Sequence, residues 1–208
     1  METDNTQNWT WMIDVIFGAI FSLGFVKLDA AFRRISLKST KEAIQHLFVA
    51  AGFLLFVFYY VSAYHMMIRV FPYTFSPYSG FRLFVDLILL FHAMAILTRS
   101  MGLHPEKSTM GILIAMSVWH FGASIWQLMA AVEYGGGFQN INPVVFIPHY
   151  YFILIYWVVF WTWKFIAKKK RLSALATSRS LIFLLSFSAF AVSIYRYVQL
   201  YRLFGEGF

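Results

Sequence analysis

The sequence predicts an all-α polytopic membrane protein in which six transmembrane helices form one bundle. Of the 208 residues, 60% are hydrophobic and only 12% are charged, whereas a soluble domain carries roughly 25% charged residues. The apolar residues also gather into runs of about 20 residues, the length that crosses the roughly 30 Å of hydrocarbon in a bilayer. Cysteine is absent, which excludes disulfides, thiol catalysis and cysteine-ligated metal sites.

Six such runs follow one another along the chain and predict a single transmembrane domain over residues 1–208. The predicted spans are 9–28, 43–66, 81–98, 110–132, 144–165 and 181–201. Segments rich in glycine, proline, serine and basic residues separate them and mark the ends of the helices. These breaks are 36–41, 72–80, 102–108, 135–143 and 168–178. Because most of the breaks are short, we expect sequential helices to be neighbours in one bundle.

Lys and Arg are distributed unevenly between the two ends of the predicted bundle. One end holds 13 of the 17 basic residues, and the other end holds only four. Those four are Arg69, Arg82, Arg196 and Arg202. Since Lys and Arg concentrate in cytoplasmic loops, we expect an integral protein of the bacterial inner membrane with both termini outside.

The basic loops on the predicted cytoplasmic side form a candidate binding surface. Its residues are Lys38, Lys41, Lys168, Lys169, Lys170, Arg171 and Arg179. One interpretation is that anionic lipid headgroups hold these side chains. The other is that they bind an anionic ligand such as a nucleotide or an oligonucleotide. Composition alone leaves both open.

A charge inside a predicted span is costly unless it is paired or hydrated, so ionisable residues there are functional candidates. The candidates of this kind are Asp14, Asp86, His92 and His120. Asp86 follows Arg82 by four residues, the spacing at which two side chains meet on one face of a helix. We therefore expect Arg82 and Asp86 to form an ion pair.

A polar stripe runs along the predicted span 110–132. It consists of Ser117, His120, Ser124 and Gln127, which lie on one face of a helix because they are separated by three, four and three residues. Such a stripe must face protein or water rather than lipid. It predicts either a contact between helices or a water-filled path.

A second seam runs along the first predicted span, where Asp14, Gly18 and Ser22 recur every four residues. Small residues at this spacing permit close packing of two helices. The same seam is suited to line the pore of an oligomer, in which Phe21 and Phe25 would form a hydrophobic constriction.

Two N-terminal segments carry the pattern of a known family. Asp14 precedes the hydroxyl of Ser22 by eight positions within small and aliphatic residues, and aromatic residues at 59–64 precede His65. This resembles the lysosomal-type potassium channels and their bacterial relatives, although Met12 and Ile13 stand where that family has Phe-Ser. The resemblance implies a six-helix unit that assembles as a tetramer around its first helix. That family has cytoplasmic termini, opposite to the orientation that the charge count predicts.

These observations lead us to expect a homo-oligomeric ion channel, a tetramer in the lipid bilayer, that has no cofactor and is not an enzyme. The expected pore-lining residues are Asp14, Gly18, Phe21, Ser22 and Phe25. An anionic nucleotide or oligonucleotide at the basic loops would gate it, which is compatible with a role as a bacterial defence effector.

Two alternatives of other classes stay open. The first is a membrane b-type cytochrome that holds haem between histidines on facing helices. Its candidate ligands are His92 with His120 near mid-membrane and His65 with His149 near the outer surface. The second is a membrane subunit without activity of its own.

Overall fold

The computed structural model describes residues 6–33, 67–68, 70–100, 105–135 and 142–204. The secondary structure of these residues is entirely helical, which confirms the all-α class. The helices are α1 (Thr6–Arg33), α2 (Pro77–Ser100), α3 (Pro105–Tyr134), α4 (Pro148–Lys169) and α5 (Ala174–Phe204). Five of the six predicted spans coincide with these helices. The predicted span 43–66 lies outside the described residues.

Proline sets the start of three helices. The first residues of α2, α3 and α4 are Pro77, Pro105 and Pro148, and proline suits the first helical position because its missing N–H would have no partner there. The predicted span 144–165 begins in a short 3₁₀ turn at Pro143–Val145, and the α-helix itself begins at Pro148.

Every described helix except α4 extends beyond both ends of the apolar run that predicted it. The span 181–201, for example, lies within the longer helix α5. A helical backbone continues into polar residues wherever its hydrogen bonds can be completed, whereas hydropathy marks only the part that suits hydrocarbon. Sequence therefore locates the centre of each helix better than its ends.

Among the described residues, three helical segments are long and apolar enough to cross a membrane. They are Thr109–Tyr134, Pro143–Lys169 and Ala174–Leu203, and α1 contains the shorter apolar stretch Trp11–Leu23. Large apolar side chains lie exposed on these helices; Phe165, for example, is 70% exposed. Exposed apolar surface of this kind is suited to lipid or to a partner, and it supports a helical protein embedded in a membrane.

Helix α3 occupies the centre of the described bundle. It packs most extensively against α2, and α4 and α5 pack against it and against each other, while α1 lies against α2. The contact between α2 and α3 is close at Gly122, where an added Cβ would lie 2.8 Å from Leu89 Cδ2. This is the close approach that small residues permit in membrane helices. The polar residues of α3 therefore have helices on several sides.

Candidate functional site

The polar stripe of α3 faces the helices α4 and α5. His120, Ser124 and Gln127 are buried, and Ser117 is half-buried. Trp157 on α4 donates its indole N–H to Ser117 Oγ at 3.1 Å, and the Ser124 hydroxyl lies 3.2 Å from the Tyr150 hydroxyl. Every residue of the stripe thus has a hydrogen-bond partner on a neighbouring helix or turn. Of the two interpretations of the stripe, these bonds support a contact between helices.

A continuous chain of buried hydrogen bonds connects α4 to α5 through this stripe. Tyr156 Oη lies 3.0 Å from His120 Nε2, and His120 Nδ1 lies 3.0 Å from His149 Nδ1. His149 Nε2 then lies 3.2 Å from Gln127 Oε1, which also accepts a bond of 3.0 Å from Arg196 Nη2. We call these five residues the histidine chain.

The direction of each bond in the histidine chain follows from its acceptor end. Gln127 Oε1 can only accept, so His149 Nε2 carries a hydrogen and donates it. A neutral His149 then accepts at Nδ1, His120 donates from Nδ1, and His120 Nε2 accepts from the Tyr156 hydroxyl. In this arrangement all donors point toward Gln127, and both imidazoles are neutral. The Arg196 guanidinium at its end favours this state, because a second positive charge there would be repelled.

Arg196 is fully buried between α5, α3 and the turn that precedes α4. Besides Gln127, it donates from Nη1 to Gln199 Oε1 at 2.6 Å and from Nη2 to the Val145 carbonyl oxygen. Counting Arg196 as a loop charge was wrong, because its side chain lies inside the bundle. These bonds tie the end of α5 to α3 and to the 3₁₀ turn.

Three of the four histidines proposed as haem ligands lie among the described residues. His120 contacts His149, which was assigned to the other pair, and the Nδ1 atom of His92 lies 2.9 Å from the Ile88 carbonyl oxygen of its own helix. His65 lies outside the described residues. Both ring nitrogens of His120 and of His149 are engaged in hydrogen bonds, so either residue would have to leave the histidine chain to bind iron. Haem binding stays a prediction.

A second buried polar cluster joins α2 and α3, and we call it the Arg82 cluster. Arg82 Nη2 lies 2.8 Å from Glu133 Oε2, and both side chains are buried. The guanidinium also donates to the carbonyl oxygens of Phe71 and Pro72 at 2.9 Å each. Its carbon lies 5.0 Å from the ring centroid of Trp126, a distance that allows a cation–π interaction.

The predicted direct ion pair between Arg82 and Asp86 is wrong. Asp86 Oδ2 instead accepts hydrogen bonds from the Tyr73 hydroxyl and from Trp126 Nε1, the latter at 2.8 Å. Spacing along one helix could not reveal the actual ion-pair partner of Arg82. That partner, Glu133, comes from another helix and lies one residue beyond the predicted span 110–132.

Glu133 also connects the loop before α2 to the Arg82 cluster. Its Oε1 accepts hydrogen bonds from the hydroxyls of Thr74 and Ser79, at 2.6 Å and 2.9 Å, and from the hydroxyl of Ser76. One carboxylate therefore neutralises a buried cation and satisfies three hydroxyl groups. The cluster is a structural element that fixes the loop 71–76 against α3.

The seam of α1 lies open. Asp14, Gly18 and Ser22 are all exposed, and a Cβ added at Gly18 would meet nothing within 4 Å. The Ser22 hydroxyl donates to the Gly18 carbonyl oxygen at 2.9 Å. The rings of Phe21 and Phe25 lie 5.1 Å apart between centroids. Close packing of the described residues through Gly18 is therefore not observed.

The basic residues 168–171 are exposed where α4 ends. Arg171 has a positive φ of 52°, and the Leu172 N–H donates to the Ala167 carbonyl oxygen at 3.0 Å, which closes the end of the helix. Arg179 is half-buried on α5, and Lys38 and Lys41 lie outside the described residues. The structure thus presents four adjacent cationic side chains at one end of the bundle.

Comparison with protein-family models, with curated proteins and with solved structures finds no match for this chain. The resemblance of segment 14–26 to the potassium channels therefore stays a prediction. What the structure adds to it is the exposure of Asp14, Gly18 and Ser22 on one helix.

Proposed function

We propose that this chain is a homo-oligomeric ion channel in which the exposed seam of α1 lines the pore. The observation that supports this proposal is the position of Asp14. It lies inside the apolar stretch Trp11–Leu23 and is exposed. An ionisable side chain at membrane depth is costly when it faces lipid, and such residues almost always face a bundle interior or water. A pore formed by several copies of α1 would give the Asp14 carboxylate that environment.

The rest of the seam suits the same assembly. Gly18 leaves open space in which a second helix can approach closely. Phe21 and Phe25 are neighbouring bulky rings on this helix and would form a constriction that excludes water when the channel is closed. A tetramer with six spans per chain, of which 43–66 is one, fits this proposal.

The proposed orientation places both termini outside and residues 168–171 in the cytoplasm of a bacterial cell. Two of the four basic residues counted on the outer side, Arg82 and Arg196, are buried in the bundle. They are therefore not loop charges, and the excess of basic residues in the opposite loops becomes larger. An anionic nucleotide or oligonucleotide that gates the channel would bind at this basic end, as the proposed role of a defence effector requires.

A cysteine placed in the basic loop should report this orientation. The chain has no native cysteine, so Ser173→Cys gives a single thiol, and we expect a membrane-impermeant maleimide to label it only after the cells are opened. Phe75→Cys is the matched control at the other end, because Phe75 is 87% exposed; it should be labelled in intact cells. Labelling of Ser173→Cys in intact cells would show that the orientation is inverted.

Replacing Phe21 with serine should raise resting ion flux through the reconstituted protein. A hydroxyl group hydrates the constriction, and each reduction of about 1.4 kcal/mol in the barrier raises the rate about tenfold. Asp14→Asn should alter the preference between cations and anions, because it removes the carboxylate from the pore wall. Both effects are measured with liposomes that contain an ion-sensitive dye.

The matched control for this flux experiment is Phe165→Ser, since Phe165 is exposed on α4, away from the seam. It should conduct like the wild-type protein. If all three variants conduct alike, or if the wild-type protein conducts nothing under any ligand, α1 does not line a pore. The membrane cytochrome and the subunit without activity would then be the leading alternatives.

A further inference from the structure

A long apolar groove lies between α4 and α5 on the surface of the bundle. Its volume is about 720 Å³, within the roughly 300–1,000 Å³ of pockets that hold small molecules. Ile147, Tyr151 and Ile155 line one side. Phe187, Ala191 and Tyr195 line the other side. All six side chains are exposed, so the groove opens where lipid would surround the protein.

The length of the groove matches one leaflet of a bilayer. Along α5 it extends from Phe187 to Gln199, which is about 18 Å at a rise of 1.5 Å per residue. Half of the roughly 30 Å hydrocarbon core is about 15 Å. Phe187 lies near the middle of α5, and Gln199 lies near its C-terminal end. The groove therefore extends from the middle of the membrane to one interface, as an acyl chain does.

The interfacial end of the groove is polar and cationic. Gln199 lines this end, and its Oε1 accepts the bond from the buried Arg196 at 2.6 Å, which leaves the amide NH₂ as the group it can offer. Arg202 is exposed and follows Gln199 by three residues, so the two side chains lie on the same side of the helix. An amide donor beside a guanidinium is suited to bind a phosphate group.

We propose that this groove binds an anionic phospholipid, with one acyl chain between α4 and α5 and the phosphate at Gln199 and Arg202. The apolar walls would bury the chain, and the charge of Arg202 would select the headgroup. This lipid lies at the end of the bundle opposite to residues 168–171, so it is distinct from any ligand of the basic loop. The proposal does not depend on ion conduction.

Native mass spectrometry of the purified, delipidated protein tests this proposal by counting bound lipids. The probes are phosphatidylglycerol and phosphatidylcholine with identical acyl chains. We expect the wild-type protein to retain phosphatidylglycerol about tenfold more tightly than phosphatidylcholine, the size of one charge-assisted contact of about 1.4 kcal/mol. Equal retention of the two lipids would overturn the proposal.

Two variants separate the site of the acyl chain from the site of the lipid headgroup. Ala191→Trp fills the groove and should reduce the retention of both lipids at least tenfold, whereas Ile194→Trp, three residues along on the same helix and outside the groove, should not. Arg202→Gln is a surface change that should remove the preference for phosphatidylglycerol. It should weaken retention of phosphatidylglycerol more than that of phosphatidylcholine, because the choline cation of phosphatidylcholine is repelled by Arg202 in the wild-type protein.

Three further results, all from the variants, would overturn the proposal. The first is equal lipid retention by Ala191→Trp and the wild-type protein, and the second is an unchanged preference in Arg202→Gln. The third is a change in the number of chains per particle in Ala191→Trp without a change in bound lipid, since this would make the groove an interface between copies. If Ala191→Trp does not fold, the Arg202→Gln measurement alone decides.

Discussion

Replacing Glu133 with alanine is expected to lower the free energy of unfolding by about 3–5 kcal/mol, because it leaves a buried cation without its carboxylate. The side chain of Arg82 is 0% exposed and that of Glu133 only 8%, so the variant leaves the guanidinium without a charged partner at a buried position. The hydroxyls of Thr74, Ser76 and Ser79 lose their acceptor in the same step. Unfolding in detergent micelles with a denaturing detergent, followed by circular dichroism, measures the change.

The matched control is the ion pair at the end of α1. Arg33 Nε also lies 2.8 Å from a carboxylate, that of Asp29, but the two side chains are 78% and 59% exposed. Asp29→Ala should therefore cost less than about 1 kcal/mol. Equal destabilisation by Asp29→Ala and Glu133→Ala would show that burial of the Arg82 cluster does not increase the contribution of its ion pair to the free energy of unfolding.

Replacing Gln127 with leucine is expected to lower the free energy of unfolding by about 2–4 kcal/mol. The variant keeps the approximate volume of the side chain but removes the oxygen that accepts from both His149 and Arg196. A buried imidazole N–H then has lost its acceptor, and each unsatisfied buried group costs about 1–3 kcal/mol, with more for a charged group. The same unfolding experiment measures it.

Ser193→Ala provides the control for the change at Gln127. Ser193 is also buried, but its hydroxyl donates at 2.7 Å to the Ala189 carbonyl oxygen of its own helix. Its removal takes away the donor itself and leaves no buried N–H or O–H unsatisfied, so we expect a loss below about 1 kcal/mol. If Ser193→Ala lowers the free energy of unfolding as much as Gln127→Leu does, the histidine chain contributes no more to stability than a hydrogen bond within one helix.

The sequence alone was sufficient to find one side of each buried polar cluster. The stripe on α3 was found because polar residues in an apolar helix must avoid lipid and because the helical period places Ser117, His120, Ser124 and Gln127 on one face. Arg82 was found because it lies within the predicted span 81–98, four residues before Asp86. In both cases the signal is local, within one helix.

The partners of these residues come from other helices, and no periodicity connects them. His149 was expected near the outer surface, and Arg196 was expected among the loop charges. Glu133 and Arg82 are separated by 51 residues in the sequence. Which face of α5 meets α3 is decided by packing in three dimensions, and two interacting helices of similar hydropathy do not reveal it.

The two fully buried arginines constrain how the chain enters the bilayer during synthesis. A helix that carries an arginine inserts less readily on its own, because the charge costs several kcal/mol until it is paired. The partner of Arg82 is on α3, the next described helix, so α2 and α3 are favoured to insert together as a hairpin. Arg196 binds Gln127 and Val145, which are synthesised before it. Helix α5 therefore finds these two acceptors already in the membrane when it inserts.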